Sequence, residues 1–161
     1  MPRVGLDCRL PRRLDAVRWC GLGPGESYPD KASAQRVGVW EVGSVAELGT
    51  PYEVPQEDGN RMGTRWVAVT EAQGGGGFRV TGGVEEGGGL FSWRASRYGD
   101  ENVQEARHPC DLVEEEDATL LRLDARVAGV GTAACGPGVR EDLLVKTEEV
   151  RFGFLLEPVG I

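Results

Sequence analysis

One histidine, His108, is the only imidazole in 161 residues, so a two-histidine metal site and any mechanism built on paired imidazoles are excluded. The four cysteines stand at 8, 20, 110 and 135 without a C-x-x-C pair, which supports neither a zinc knuckle nor a redox motif. Separate reduced thiols are the expectation. No apolar run approaches the roughly 18 residues of a membrane span, and no charged start leads into an apolar signal region. The five arginines of the first eighteen residues do not make a transit peptide, because Val4, Leu6, Cys8 and Leu10 alternate as a strand. A cytoplasmic chain is expected. Positive charge is also in short supply: 18 Lys and Arg against 26 acids leave a net charge of −8, which repels nucleic acid and anionic membrane surfaces alike.

Two familiar phosphate loops are missing as well. Gly21-x-Gly23-x-Gly25 has Glu26 where the dinucleotide fingerprint needs its third glycine, and no Gly-Lys-Ser/Thr follows. Those glycines suit chain reversal. The acidic run Glu114 to Asp117 lacks the alternating oxygen ligands of a calcium loop and reads as a solvated turn. A Cys135–His108 dyad has the right atoms, but a lone histidine before a proline at a helix end is more often a capping residue.

What the sequence does hold is glycine, 25 residues, and valine, nineteen of the 38 Leu, Ile, Val and Phe. Valine packs well on a pleated surface and loses rotamer freedom in a helix, so the composition leans to β structure rich in turns. The length suits one domain over 1–161 and is too short for a (β/α)₈ barrel, which takes more than about 200 residues. Period-two segments recur: Val4 to Leu10, Val17 and Trp19, Val37 to Val42, Arg65 to Thr70, Leu90 to Ala95, Leu121 to Val127, and Val150 to Leu156. This alternation predicts an all-β antiparallel sandwich, with Cys8, Leu121, Leu123, Val150, Phe152, Phe154 and Leu156 buried and Arg122, Asp124 and Arg151 exposed. Trp66 and Trp93, in apolar strands, are expected in the core. Gly74 to Gly77 and Gly82 to Gly89 read as loop tips, and Asp100 as the cap of one short helix through Arg107 that Pro109 stops.

Four blocks then carry a resemblance. Val17-Arg-Trp-Cys-Gly-Leu-Gly-Pro-Gly-Glu-Ser-Tyr-Pro-Asp-Lys31 is followed by Thr50-Pro-Tyr-Glu-Val-Pro-Gln-Glu-Asp-Gly-Asn-Arg61 with Thr64-Arg-Trp66. Phe91-Ser-Trp, Ser96-Arg-Tyr and His108-Pro-Cys-Asp-Leu112 come third, and Leu123-Asp-Ala-Arg with Gly129-Val-Gly-Thr-Ala-Ala-Cys-Gly-Pro-Gly-Val139 last. In this order the blocks resemble the C-terminal region of family-2 β-galactosidases, a domain with the galactose-mutarotase-like supersandwich fold. Departures are Asp58 for the usual Asn, Cys110 where His is common, the irregular Gly82 to Gly89, and Arg140-Glu141 for Leu-Pro.

The resemblance implies an antiparallel supersandwich, of which this chain matches about the C-terminal half, so one sheet face should be left uncovered. It also implies that the catalytic glutamates and the magnesium and sodium sites belong to a barrel and its neighbours elsewhere. This chain would then hold no cofactor and no catalytic residue. Its partner would be a β-galactosidase catalytic core, from the same gene or a separate large subunit, and the substrate a β-galactoside such as lactose. Gly131, Thr132 and Cys135 fall in the loop that the family lends to the rim of the active site, with Cys135 where some members place a tryptophan. Gly25, Glu26, Tyr28 and Asp30, and Gln56, Glu57, Asn60 and Arg61, fall in two motif loops; Glu26, Asp30, Glu57 and Arg61 are expected to bind nearby amides or one another. A free carbohydrate-binding module, stacking sugars on Trp19, Trp40, Trp66 or Trp93, is the alternative. A sugar epimerase is a more distant one, because that chemistry wants a histidine pair.

Overall fold

The computed structural model describes residues 2–83, 89–132 and 136–160, without the side chain of Gln73. In chain order the regular elements are β1 (Arg3–Pro11), β2 (Leu14–Gly23), β3 (Arg36–Val42), β4 (Arg61–Thr64), β5 (Trp66–Glu71), β6 (Gly77–Gly82), β7 (Phe91–Ser96), α1 (Asp100–Glu105), β8 (Ala118–Val127) and β9 (Phe154–Val159). The strands form two antiparallel sheets, a four-stranded one in the order β1-β8-β7-β4 and a five-stranded one in the order β3-β2-β5-β6-β9. Only Arg65 separates β4 in one sheet from β5 in the other, and its amide donates to the Cys20 carbonyl.

Alternation decides what lies between the sheets. Val17 and Trp19 of β2, Val67 and Val69 of β5 and Val80 of β6 meet Phe91, Trp93 and Ala95 of β7 and Leu121 and Leu123 of β8 in one buried cluster. Trp19 and Trp93 pack edge-to-face across the gap with ring centroids 5.3 Å apart, the arrangement that ring quadrupoles favour. Cys8 and Leu10 of β1 close the cluster from the edge, so Cys8 is half-buried where full burial was expected.

The outward faces differ. On the four-stranded sheet Arg94, Arg122 and Asp124 point away from the core but are covered by Arg3, by the 56–59 loop and by Asp100 of α1. Asp124 is therefore fully buried and Arg122 half-buried, against the expected exposure of both. Strand periodicity identifies the side of a residue, not whether water reaches that side. Among the described residues the five-stranded sheet has less cover: Val37, Val39 and Leu155 stand exposed on its outer face. Trp66 shares that face and lies half-buried under the Arg79 guanidinium, 4.9 Å from the ring centroid, rather than in the core.

Three further expectations are corrected. β6 (Gly77–Gly82) fills the segment between the two glycine loops and takes Gly77 and Gly82 from them as its ends; residues 84–88 of the second loop lie outside the described residues. Gly99, not Asp100, holds the N-cap position of α1, because the Asp100 carboxylate is turned to Arg122. At the C-terminus Val150 is only half-buried and Phe152 and Leu156 are exposed, while Phe154 packs against Phe91. Leu156 lies opposite Val80 and shares its inward side, but β9 overhangs a partner sheet with one strand fewer, and among the described residues Leu156 stays exposed.

Candidate functional site

Three loops gather at one end of the sandwich: 24–31 after β2, 56–60 before β4, and 128–139 after β8. Short acids and glycines let the first two fold on each other. The Glu26 carboxylate accepts from Lys31 Nζ, from the Tyr52 hydroxyl at 2.5 Å and from the Gly59 amide at 2.8 Å. Burial by itself raises a carboxyl pKa; these donors outweigh it and hold Glu26 below the ordinary range. Asn60 completes the join, accepting the Ser27 amide on its carbonyl at 2.7 Å and donating Nδ2 to the Ser27 carbonyl at 2.7 Å. Gly25 donates its amide to Gln35 at 2.8 Å.

Arg61 enters from β4 and is buried. Its guanidinium donates to the carbonyls of Leu48 at 2.8 Å, Gly59 at 2.6 Å and Pro24 at 3.1 Å, and lies 5.5 Å from the Trp19 ring centroid. Burial pulls its pKa down to about 10, against the attraction of Glu26, Tyr28 and Asp58. At neutral pH it remains a cation that ties three backbone segments to the core.

A second set of contacts runs under the rim loop. Tyr28 donates its hydroxyl to Glu57 at 3.1 Å, and Arg3 bridges Glu57 at 2.5 Å and Asp124 at 3.0 Å. Desolvation lifts Asp124 to about 6 despite Arg3 and Arg122, and its Oδ1 has no hydrogen-bond partner among the described residues. Burial, with Glu57 and Glu26 close by, also pushes the Tyr28 hydroxyl well above its usual value. Arg3, Tyr28 and Glu57, with exposed Gln56 and with Gly129 and Val130, line a shallow cleft of about 290 Å³.

Asp30 is the link to the rim. Its two carboxylate oxygens accept the amides of Val130 at 3.0 Å and Gly131 at 2.7 Å, and so fix the start of the 128–139 loop. Gly131 has φ +66°, and a Cβ there would sit 2.8 Å from the Val139 amide nitrogen, so the turn accepts only glycine without strain. Thr132 closes the loop through its amide, 3.0 Å from the Pro137 carbonyl. Cys135 lies outside the described residues.

Glu26, Asp30, Glu57 and Arg61 thus all have backbone or side-chain partners. Sequence reasoning missed Arg3, Lys31, Tyr52 and Asp124; Lys31 and Tyr52 stand inside the quoted motifs, whereas nothing in the sequence pairs Arg3 with residues 57 and 124. The carboxylates of Glu26, Asp30 and Glu57 are each committed to donors, and the arrangement builds and orients the loops. His108 is exposed, its amide donating to Asp111 at 2.9 Å. Among the described residues no group of three or more His, Cys, Asp or Glu is placed to hold a metal ion.

Comparison with known proteins extends this geometry. The family model described as beta galactosidase small chain matches residues 1–156. The beta-galactosidase of Kluyveromyces lactis is 36% identical over 154 residues, which cover 95% of this chain and 14% of that protein. Those of Photobacterium profundum, 36% identical over 161 residues, and Vibrio vulnificus strain YJ016, 32% over 163, match 98% and 99% of this chain. In both cases the chain again spans only 14% of the relative's length. Matched from β1 into β9, the chain belongs to the beta galactosidase small chain family.

Proposed function

We propose that this chain is an accessory, non-catalytic segment of a β-galactosidase, acting with a catalytic core in the hydrolysis of terminal β-D-galactosides such as lactose. The observation that carries the reading is the match to 14% of whole beta-galactosidases by a chain too short to contain a barrel. Two glutamates flanking a glycosidic bond at about 5.5 Å, as a retaining reaction needs, then belong to the core. Magnesium and sodium, which the resemblance assigns to other domains, belong with them. What the chain contributes is the loop after β8, anchored by Asp30 at Val130 and Gly131, which by the resemblance stands at the rim of the core's site, Gly131, Thr132 and Cys135 being its rim residues.

A free carbohydrate-binding module is less well supported. Trp19 and Trp93 are buried, Trp66 is covered by Arg79, and the half-buried Trp40 packs against the core and against Gly23 and Gly38, so among the described residues none stands free as a stacking platform. We assign the cytoplasm as the compartment, a reading supported by Cys8, Cys20 and Cys110 having no disulfide partner among the described residues. No helix among the described residues is long and apolar enough to cross a membrane.

The test is hydrolysis of a nitrophenyl β-galactoside. The purified chain is expected to show none, and to restore turnover to a β-galactosidase core from which the matched segment has been removed. Cys135→Trp should then shift leaving-group or acceptor preference rather than the cleavage itself. Robust turnover by the isolated chain, abolished by changing one of its own carboxylates, would overturn the reading.

A further inference from the structure

Among the described residues strand β9 is an edge with two unsatisfied sides. Its inward side carries Leu156, 55% exposed although its cross-strand neighbour Val80 is fully buried, and Phe152 just before the strand is 38% exposed. Only Phe154, packed on Phe91 at 5.3 Å between centroids, finds cover. The backbone is open too. The Gly83 amide donates to the Gly153 carbonyl at 3.2 Å, so by the alternation of an antiparallel ladder Leu155 and Glu157 bond to β6, while the amides and carbonyls of Phe154 and Leu156 face the free edge. Pro158 follows in the same phase and has no N–H to offer.

We propose that β9 is the edge at which the catalytic core joins this chain, by adding an extended apolar strand that pairs with Phe154 and Leu156 and covers Leu156 and Phe152. This rests on the accessory reading above. The occupant is a strand because an unpaired row of backbone donors and acceptors selects one; a helix laid there would bury those groups without partners. It is apolar on its inward phase because the row it faces is Phe152, Phe154 and Leu156. It comes from the remaining β-galactosidase polypeptide because the relatives continue far beyond the 14% of their length that this chain spans. A second copy fits less well: a two-fold β9–β9 ladder centred on Leu156 sets Pro158 against the partner's edge, and each copy loses a donor there.

Two substitutions of opposite phase test this. Leu156→Asp changes the inward side and Leu155→Asp the outer side, and both residues are about half exposed in the isolated chain, so both variants should keep the wild-type thermal midpoint. Binding to a β-galactosidase core lacking the matched segment should weaken about tenfold or more for Leu156→Asp and less than about threefold for Leu155→Asp. Hydrogen exchange of the Phe154 and Leu156 amides, fast in the chain alone, should slow in the complex. If the core binds the wild type and Leu156→Asp equally, or leaves those amides unprotected, the β9 proposal fails and the accessory reading stands. If the wild type does not bind the core, the accessory reading fails and takes the proposal with it. Protection that grows with concentration in the chain alone identifies a second copy as the occupant and overturns the assignment to the core.

Discussion

Asp124 is an acid whose environment opposes its charge. Its carboxyl titrates near 6 in the folded chain, against about 3.9 when unfolded, because desolvation outweighs Arg3 and Arg122. A raised acid contributes stability that is complete below the unfolded value and lost as pH climbs through the folded one, so wild-type stability should fall by about 1 to 3 kcal/mol between pH 4 and 7 from this group. Glu26 works in the opposite sense, its contribution present above the ordinary carboxylate range and lost as pH falls through its depressed value. Asp124→Asn should therefore flatten the neutral side of the profile and leave the acid side unchanged, as thermal melts from pH 3 to 8 would show. An unchanged neutral limb would mean that Asp124 is ionised without penalty. Phe152 makes the contrast at the same scale: exposed at the overhanging edge, it should cost only about 1 kcal/mol on replacement by Ala, whereas Trp93→Ala, deep between the sheets, should cost about 3 to 5 kcal/mol in denaturant unfolding.

Among the elements, legibility followed packing. β2, β3, β5, β7 and β8 were readable because their alternate residues face a core that buries one side, the condition under which period two is informative. β9 has the same alternation, yet Leu156 and Phe152 are exposed because burial depends on a facing strand that no local pattern reports. β6 was hidden by glycines at both ends, where Phe78, Val80 and the pairing to β5 and β9 outweigh weak propensity. Asp124 was misread for the converse reason, an outer face covered by the chain's own loops. In the site, the motif loops could be recognised by resemblance, but the tie from Asp30 to the amides of residues 130 and 131 joins segments about 100 residues apart and leaves no trace in spacing. That tie makes a prediction for the loop. Asp30→Ala should raise amide exchange at Val130 and Gly131 and open 128–139 to limited proteolysis, at a stability cost of about 1 to 3 kcal/mol, while Asp30→Asn retains part of the protection. Equal protection in the Ala variant would show that the loop holds itself.

For the whole molecule the asymmetry between the two outer faces matters most. One is roofed by buried polar pairs; the other shows Val37 and Val39 on the edge strand β3, beside half-buried Cys20 and Leu22. An apolar edge of this kind favours sticking, and the net charge of −8 opposes it. Sedimentation velocity should accordingly find more self-association of the isolated chain at high salt, where repulsion is screened, and less after Val39→Lys. Association that weakens with salt would mean that charged contacts, not the valines, draw copies together.

The single residue between β4 and β5 has a mechanical meaning. A strand that leaves one sheet at Thr64 and enters the other at Trp66 gives the layers a tether with no slack. Sliding one sheet over the other by one residue, about 3.3 Å, would have to stretch covalent backbone and break the bond from the Arg65 amide to Cys20. Shear is thereby denied to the sandwich near this crossing. Load received at an edge of the five-stranded sheet passes through the tether to β4, and from there to Arg61 and the loops it anchors.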